Sequence, residues 1–382
     1  MRRIKMTKDR QRLIVLTAGG TGGHVYPADA LATELEKRGY EVMLFTDGRG
    51  LHNYKGKLGE IENKAIYSGS VVGKSPVTKI CSLFKVGCGV IQAAYYLLRR
   101  RPVCVVGFGG YASFPTAVAA VILRIPLVIH EQNSVMSRTN RILARFATLT
   151  AQSFRQVKNT PAGVKTILSG MPIRNAIAAL HGQSRPEKQP GDKLTLLVLG
   201  GSQGAKIFAE TVPQAVMMLD EKLRRSLVIY QQCRQGEEST VTAQYENSGC
   251  QVTIRAFFDN MPELYRLADL IISRAGASSV YEIAAAGLPS VLVPLPIAAD
   301  NHQFYNALEF AEAGAGIVVE QKDFTPQKLR DILQDLLLQP QKRAQMAAKA
   351  GEIAIVDAAA RLADGIEELM IKEKNDVRAG KR

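Results

Sequence analysis

The sequence predicts two doubly wound α/β domains, each a parallel sheet with helices on both faces. Three observations lead there. Short, wholly apolar runs alternate with helix-length segments along the chain, as strands covered on both faces do. A strand, a glycine-rich turn and a helix start occur in succession twice, as RLIVLTAGGTGGH at 12–24 and LTLLVLGGSQGAK at 194–206. The length of 382 residues exceeds what one core holds and suits two.

The apolar runs at 13–16, 42–45, 103–106 and 127–129 read as strands of the first domain. Those at 194–199, 227–230, 270–272 and 290–293 read as strands of the second. Between the two sets, HGQSRPEKQPGDK at 181–193 is polar, rich in Pro and Gly and without periodicity, which marks a linker. Strand carboxyl ends of two such domains would face each other across a cleft. The tail KEKNDVRAGKR at 372–382 reads as frayed.

Apolar residues at 46% and charged residues at 22% indicate a globular chain rather than a disordered one. The net charge of +14 suits an anionic membrane surface or a phosphate-bearing substrate. Nucleic acid is not expected, because no zinc-finger spacing, RNA-binding aromatic strand or basic zipper is present. Five cysteines, at 81, 88, 104, 233 and 250, form no C-x-x-C pair and read as reduced thiols. The best candidate membrane span, 111–129, contains Pro115, Arg124 and Pro126 and reads instead as a buried helix followed by a strand. No D-x-D, H-E-x-x-H or Cys/His cluster suggests a metal, and no cofactor is expected.

The turn TAGGTGGHVYP at 17–27 offers bare backbone N–H groups to an anion, at a helix start whose dipole favours negative charge. A glycine turn also serves a tight connection without ligand, and one loop alone leaves both readings open. It is not the dinucleotide fingerprint, since the third glycine position falls on Val25. SGSVVGKS at 68–75 is one residue short of a P-loop and runs into Pro76. His24, at the helix start, is disfavoured as imidazolium and suits a general base, or it simply bonds a loop carbonyl. GFGGYASFP at 107–115 is a second candidate phosphate cradle in the same domain, and so suggests a second phosphate-bearing substrate. In the other domain, Ser279 to Glu282 spells a capping box, while a carboxylate at a ligand-facing helix start also accepts hydrogen bonds from a ribose diol.

Taken in order, GGTGGHVYP, GFGGYASFP, HEQNS, GMPIR, GGSQGA, FFDNM, RAGASSVYEIAAAGLP and NHQFYNA resemble the MurG family of bacterial peptidoglycan glycosyltransferases. The resemblance runs from about residue 12 to about residue 365. It implies the GT-B fold, two Rossmann-like domains facing a central cleft. The implied boundaries are 1–174 for the acceptor and membrane domain, 175–193 for the linker and 194–355 for the UDP-sugar domain, with a C-terminal helix at 356–382 returning to the first. The implied activity is inverting, metal-independent transfer of N-acetylglucosamine from UDP-GlcNAc to the C4 hydroxyl of a polyprenyl-pyrophosphoryl-muramoyl-pentapeptide, at the cytoplasmic face of the plasma membrane. Cell-wall synthesis and division proteins are implied partners.

By motif, the resemblance implies donor contacts at Thr21, Gly22, Gly23, Asn133, Arg174, Ser202, Phe258, Ala277, Ser278, Ser279, Val280, Tyr281, Glu282 and Gln303. Glu282 would hold the ribose hydroxyls, and Gln303 the sugar. Implied acceptor contacts are Gly109, Gly110, Tyr111, Ser113, His130 and Glu131. His24 is the expected base, with Glu131 and His130 as rivals. Met171 stands where the family commonly has Asn, His302-Gln303 where it has Gln-Gln, and Ser134 where Ala or Gly is usual. The segment VVGKSPVTKICSLFKVG at 71–87 mixes lysines with Ile80, Leu83 and Phe84 and suits an anionic lipid surface or an ordinary core-covering helix. Two rival functions stand beside the transferase: an acceptor-independent UDP-GlcNAc isomerase of the same fold, and a non-catalytic peripheral membrane protein.

Overall fold

In a computed structural model of the chain, residues 12–19, 22–48, 56–69, 76–184, 188, 192–201 and 204–378 are described. They separate into two compact units. The first runs to Arg174 and resumes at Asp357, and the second spans Asn175–Val356.

The first unit opens with β1 (Leu13–Thr17), α1 (Gly22–Lys37), β2 (Glu41–Thr46), α2 (Lys57–Glu60) and β3 (Glu62–Ala65). It continues with α3 (Pro76–Arg100), β4 (Cys104–Gly107), α4 (Gly110–Ile122), β5 (Leu127–Glu131), α5 (Arg138–Leu143), β6 (Leu149–Gln152) and β7 (Thr166–Leu168). The strands form one sheet in the order β3-β2-β1-β4-β5-β6-β7, every pair parallel. The order reverses between β1 and β4, where Leu16 pairs with Leu44 on one side and Val106 on the other. Ligands of open parallel sheets bind outside the strand carboxyl ends at such a reversal.

The residue parity of β1 shows why the sheet is buried twice. Leu13 and Val15 pack with Ala93 and Leu97 of α3 and Ala117 of α4. Ile14 and Leu16 pack with Leu31 and Leu35 of α1 on the opposite face. Each face needs an apolar residue at every position, so β1 reads as an unbroken apolar run.

The second unit begins with α6 (Asn175–Ala178), β8 (Leu194–Leu199), α7 (Lys206–Met217), α8 (Glu221–Arg225), β9 (Leu227–Gln232), α9 (Glu238–Ala243) and β10 (Gln251–Arg255). Then come α10 (Met261–Leu267), β11 (Leu270–Ser273), α11 (Ala277–Ala285), β12 (Ser290–Leu292), α12 (His302–Glu312), β13 (Gly316–Val318), α13 (Pro326–Leu338) and α14 (Pro340–Ile353). Its parallel sheet has the order β10-β9-β8-β11-β12-β13, reversing between β8 and β11. The stretch expected as a linker starts with α6, whose Ile177 is buried and which packs on α10 and α11.

The last helix, α15 (Ala358–Arg378), belongs to the first unit. Its Leu362, Ala363, Ile366 and Leu369 join the core on the α1 side of the sheet. Arg38 at the end of α1 bonds Asp364 at 2.6 Å and Glu367 at 2.8 Å, and the Tyr40 hydroxyl donates to Glu367 at 3.1 Å. The tail expected to fray is therefore helical as far as Arg378, carried on by a docked apolar face.

The expected membrane-span candidate resolves into α4 and β5, a buried helix followed by a strand. A longer apolar helix lies elsewhere. Ile80–Arg100 within α3 is long and apolar enough to cross a membrane by length and composition, with a mean hydropathy of 1.4. One face of it is fixed to the unit. Ala93 and Leu97 are fully buried, Gln92 bridges Ala65 O and Tyr67 N, and Arg100 bonds Glu41 and Glu62 at 2.8 Å each.

Candidate functional site

Both reversal points carry the glycine turns singled out in the sequence. In the first unit, the chain leaves β1 through Gly19 and enters α1 at Gly22, so Gly22, Gly23 and half-buried His24 make its first turn. Thr21 and Ser202 lie outside the described residues. Beside that turn, β4 ends and α4 begins at Gly110, with Gly109 as N-cap at φ 81° and Gly110 at φ 74°. Both conformations favour glycine. A Cβ on Gly110 would stand 3.5 Å from His24 Nε2, so the bare backbone there lies against the imidazole edge. Half-buried Tyr111 follows, its hydroxyl donating to Asp47 Oδ2 at 3.0 Å, and this ties the ends of β2 and α4 together.

Three expected acceptor contacts have another role. Ser113 is fully buried and its hydroxyl faces Thr17 O and Gly109 O, 2.7 Å from each, bracing the two glycine turns against each other. Glu131 is fully buried at the end of β5. Its Oε1 accepts from Asn133 N at 3.0 Å, and its Oε2 from Ser137 N at 2.9 Å and Asn140 Nδ2 at 2.8 Å. A carboxylate so engaged shapes the loop after β5 and is not placed to take a substrate proton. His130 is fully buried as well, with its Nε2–H donating to Gly170 O at 3.1 Å and its Nδ1 3.2 Å from Gln132 Nε2. Burial, assisted by the nearby His24, pushes its pKa down to about 4, so it is neutral and holds the GMPIR loop onto β5. The resemblance implies all three as acceptor contacts; each is fully buried and hydrogen-bonded within its own unit.

That loop places Met171 in full burial, 3.6 Å from the Ser153 hydroxyl, an apolar filling where the family commonly has an amide. Half-buried Arg174 follows, its guanidinium 5.4 Å from the centre of the Tyr26 ring. Asn133 is half-buried in the loop that Glu131 holds. Gln132, which no sequence motif singles out for a role of its own, donates to Phe108 O at 2.8 Å and so links the ends of β4 and β5. For Asp47, the signal available in the sequence is its position at the end of β2.

In the second unit, β8 ends at Leu199 and α7 begins at Lys206. A Cβ on Gly200 would fall 2.3 Å from Ala205 N, so the turn between them closes on itself only with glycine there. Gly200 N donates to Gln232 Oε1 at 3.1 Å. At the end of β11, α11 begins with Ala277 behind the N-cap Gly276, which has no side-chain cap bond. The expected capping box is therefore not formed, because the helix starts earlier than Ser279 and puts Glu282 in its second turn. Ser278 and Ser279 are half-buried on the first turn, while Ala277, Val280, Tyr281 and Glu282 are buried. Glu282 Oε2 accepts from the Tyr265 hydroxyl at 3.0 Å.

Around α11 stand the remaining expected contacts. Phe258 is buried in the loop after β10, edge-on to Tyr230. Gln303 Oε1 accepts from Leu295 N at 3.0 Å, and His302 Nδ1–H donates to Ala299 O at 2.7 Å, so the His-Gln pair clamps the loop before α12. Arg274 is buried and donates to Val293 O, Pro294 O and Gln321 Oε1, shaping the start of the same loop. Among the described residues, no group of three or more His, Cys, Asp or Glu could hold a metal ion.

Residues 14–152 match the glycosyltransferase family 28 N-terminal domain, and residues 195–369 the C-terminal domain of that family. The UDP-N-acetylglucosamine–N-acetylmuramyl-(pentapeptide) pyrophosphoryl-undecaprenol N-acetylglucosamine transferase of Rhodospirillum rubrum is 44% identical over 351 residues, 92% of this chain and 90% of that one. The crystal structure of Acinetobacter baumannii MurG aligns with a TM-score of 0.76 and 32% identity, covering 94% of this chain and 99% of that one. A putative UDP-N-acetylglucosamine 2-epimerase from Listeria monocytogenes aligns with a TM-score of 0.64 at 14% identity, covering 94% and 96%, a likeness of fold alone.

Proposed function

The chain belongs to glycosyltransferase family 28, and from that premise we propose that it is a UDP-GlcNAc-dependent N-acetylglucosaminyltransferase of peptidoglycan synthesis. It joins N-acetylglucosamine to a polyprenyl-pyrophosphoryl N-acetylmuramoyl-pentapeptide, converting lipid I to lipid II. The observation that carries this reading is that the likeness to named transferases runs through both units, not through one nucleotide-binding half.

In this reading the second unit takes the donor. The amino end of α11, a helix of nine residues, offers its N–H groups to the diphosphate, Glu282 accepts from the ribose, and the Gln303 amide group donates to the sugar. The first unit takes the acceptor at Gly109, Gly110 and Tyr111. His24 accepts the proton of the attacking C4 hydroxyl as UDP departs from the anomeric carbon, an inverting single displacement. Stabilisation of the leaving diphosphate comes from helix dipole and Arg174, without a metal.

The acceptor's polyprenyl tail stays in the bilayer, so the reading includes peripheral docking at the cytoplasmic face of the membrane. The outer face of α3 supports it. Ile80, Leu83, Phe84, Ile91, Tyr95 and Leu98 are each at least 51% exposed there, interspersed with exposed Lys85 and Arg99. Of the expected lysines, Lys74 and the side chain of Lys79 lie outside the described residues.

The test is UDP release from UDP-GlcNAc with and without lipid-linked muramoyl-pentapeptide, with UDP-GalNAc as donor control. Acceptor-dependent release preferring UDP-GlcNAc is expected. Conversion of UDP-GlcNAc without acceptor would overturn the transferase in favour of an isomerase. Co-sedimentation with anionic vesicles, lost in Phe84→Asp, checks the docking face separately.

A further inference from the structure

Tyr265 lies at the base of the second unit's site and has no part in the proposed chemistry. Its side chain is 1% exposed on α10, among the largest fully buried side chains of the described chain. A phenol that deep needs a hydrogen-bond partner. The fold supplies a carboxylate, Glu282 Oε2 at 3.0 Å, across from α11. Glu282 is itself 6% exposed and in the second turn of its helix, where the positive helix end contributes little.

From this geometry we infer that Tyr265 is a positioning residue for the donor, fixing the Glu282 carboxylate in the plane that meets the ribose diol. A carboxylate accepts about four hydrogen bonds, and the one at Oε2 sets its orientation. Two hydroxyls on adjacent ribose carbons are read best by a carboxylate that cannot rotate, because both bonds depend on one torsion. A phenol–carboxylate bond is also among the stronger hydrogen bonds a buried side chain makes. Tyr265 never touches substrate in this mechanism. The inference rests on the reading of Glu282 as the ribose carboxylate.

The experiment measures steady-state kinetics of the full-length protein with UDP-GlcNAc and with its 2′-deoxyuridine analogue. Tyr265→Phe raises KM for UDP-GlcNAc by about tenfold and leaves kcat within about twofold, the effect of losing one hydrogen bond to a charged group. With the deoxy donor, the same variant costs no more than about threefold, since half of what Tyr265 organises is gone. Equal penalties on the two donors, or no change in KM, would overturn the inference, because a merely structural tyrosine does not distinguish them. Glu282→Ala is run in parallel. If it fails to narrow the difference between the donors, the ribose reading of Glu282 falls, and the inference with it, which separates the two failures. Should Tyr265→Phe not fold, Tyr265→Met takes its place, and the ratio of UDP to 2′-deoxy-UDP affinity by calorimetry measures the same discrimination without turnover.

Discussion

Each unit buries a glutamate, Glu131 at a strand end and Glu282 in the second turn of a helix, and the two are held differently. Glu131, at the end of β5, is fully buried and gives both oxygens to donors of its own loop. Glu282, on α11, is 6% exposed, and its Oε2 accepts from the Tyr265 hydroxyl of a neighbouring helix. The same contrast extends outward. Behind its glycine turns the first unit buries Ser113, His130, Gln132 and Asn140, which bond backbone and one another. What it presents is bare glycine backbone, His24 and Tyr111. In the second unit the presented groups are side chains on a helix start and on the loop it faces. Residue type therefore identifies a polar sheet end, and full burial with internal hydrogen bonds marks the scaffold of the first unit.

The largest expected effect tests the presenting residue of the first unit. His24→Ala lowers kcat by about 10²–10⁴, the usual contribution of a general base, while donor KM changes by less than about threefold. Stopped-flow or coupled UDP-release assays read both constants. Unchanged kcat would remove His24 as the base. Since Glu131 and His130 are occupied internally, the search would then turn to Asp47, which faces the same turn through Tyr111.

Much of this is legible in the sequence. β1, β2, β4, β5, β8, β9, β11 and β12 are, because interior strands of a parallel sheet are apolar on both faces. β3 (ENKA), β7 (TIL), β10 (QVTIR) and β13 (GIV) are not, and all four are sheet edges with partly exposed residues. β6 escapes differently: it is interior, yet it buries Thr150 and Gln152 at the polar end of the sheet. The glycine turns are legible because positive φ and close approach leave glycine few substitutes. The capping box at Ser279 misleads because Gly276, three residues earlier, already starts α11. Nothing in a linear pattern separates Glu131 from Glu282, since the distinction lies in which backbone N–H groups the folded loop turns inward.

The next effect in size sharpens that distinction through stability. Glu131→Ala strands Asn133 N, Ser137 N and the Asn140 amide in a buried loop, at a cost of about 3 kcal/mol or more. For a unit of this size that is a melting-temperature drop of roughly 6–12 °C. Glu282→Ala removes the acceptor of the Tyr265 hydroxyl, with its main effect on donor KM. Differential scanning calorimetry beside donor kinetics gives the pattern, and a larger stability loss at Glu282 than at Glu131 would invert the assignment of scaffold and contact.

The smallest effect at neutral pH becomes large in acid, and it belongs to the first unit. His130 is buried neutral with its pKa pushed down to about 4, chiefly by burial, against an ordinary value of 6.5. Above pH 6.5 neither the folded nor the unfolded chain protonates it, and it costs nothing. Between pH 6.5 and about 4 the unfolded chain takes up a proton that the native unit refuses, so stability falls as pH falls. The loss reaches about 3 kcal/mol near pH 4 and then levels off, as both states bind the proton. His130→Gln removes the proton site and also weakens the bond to Gly170, so it starts less stable than the parent at pH 8. The gap between the two then narrows by about 3 kcal/mol as pH falls from 6.5 to 4, measured by denaturant titration of the first transition. A gap constant with pH would mean that water reaches the imidazole, and the GMPIR loop would then need a different anchor on β5.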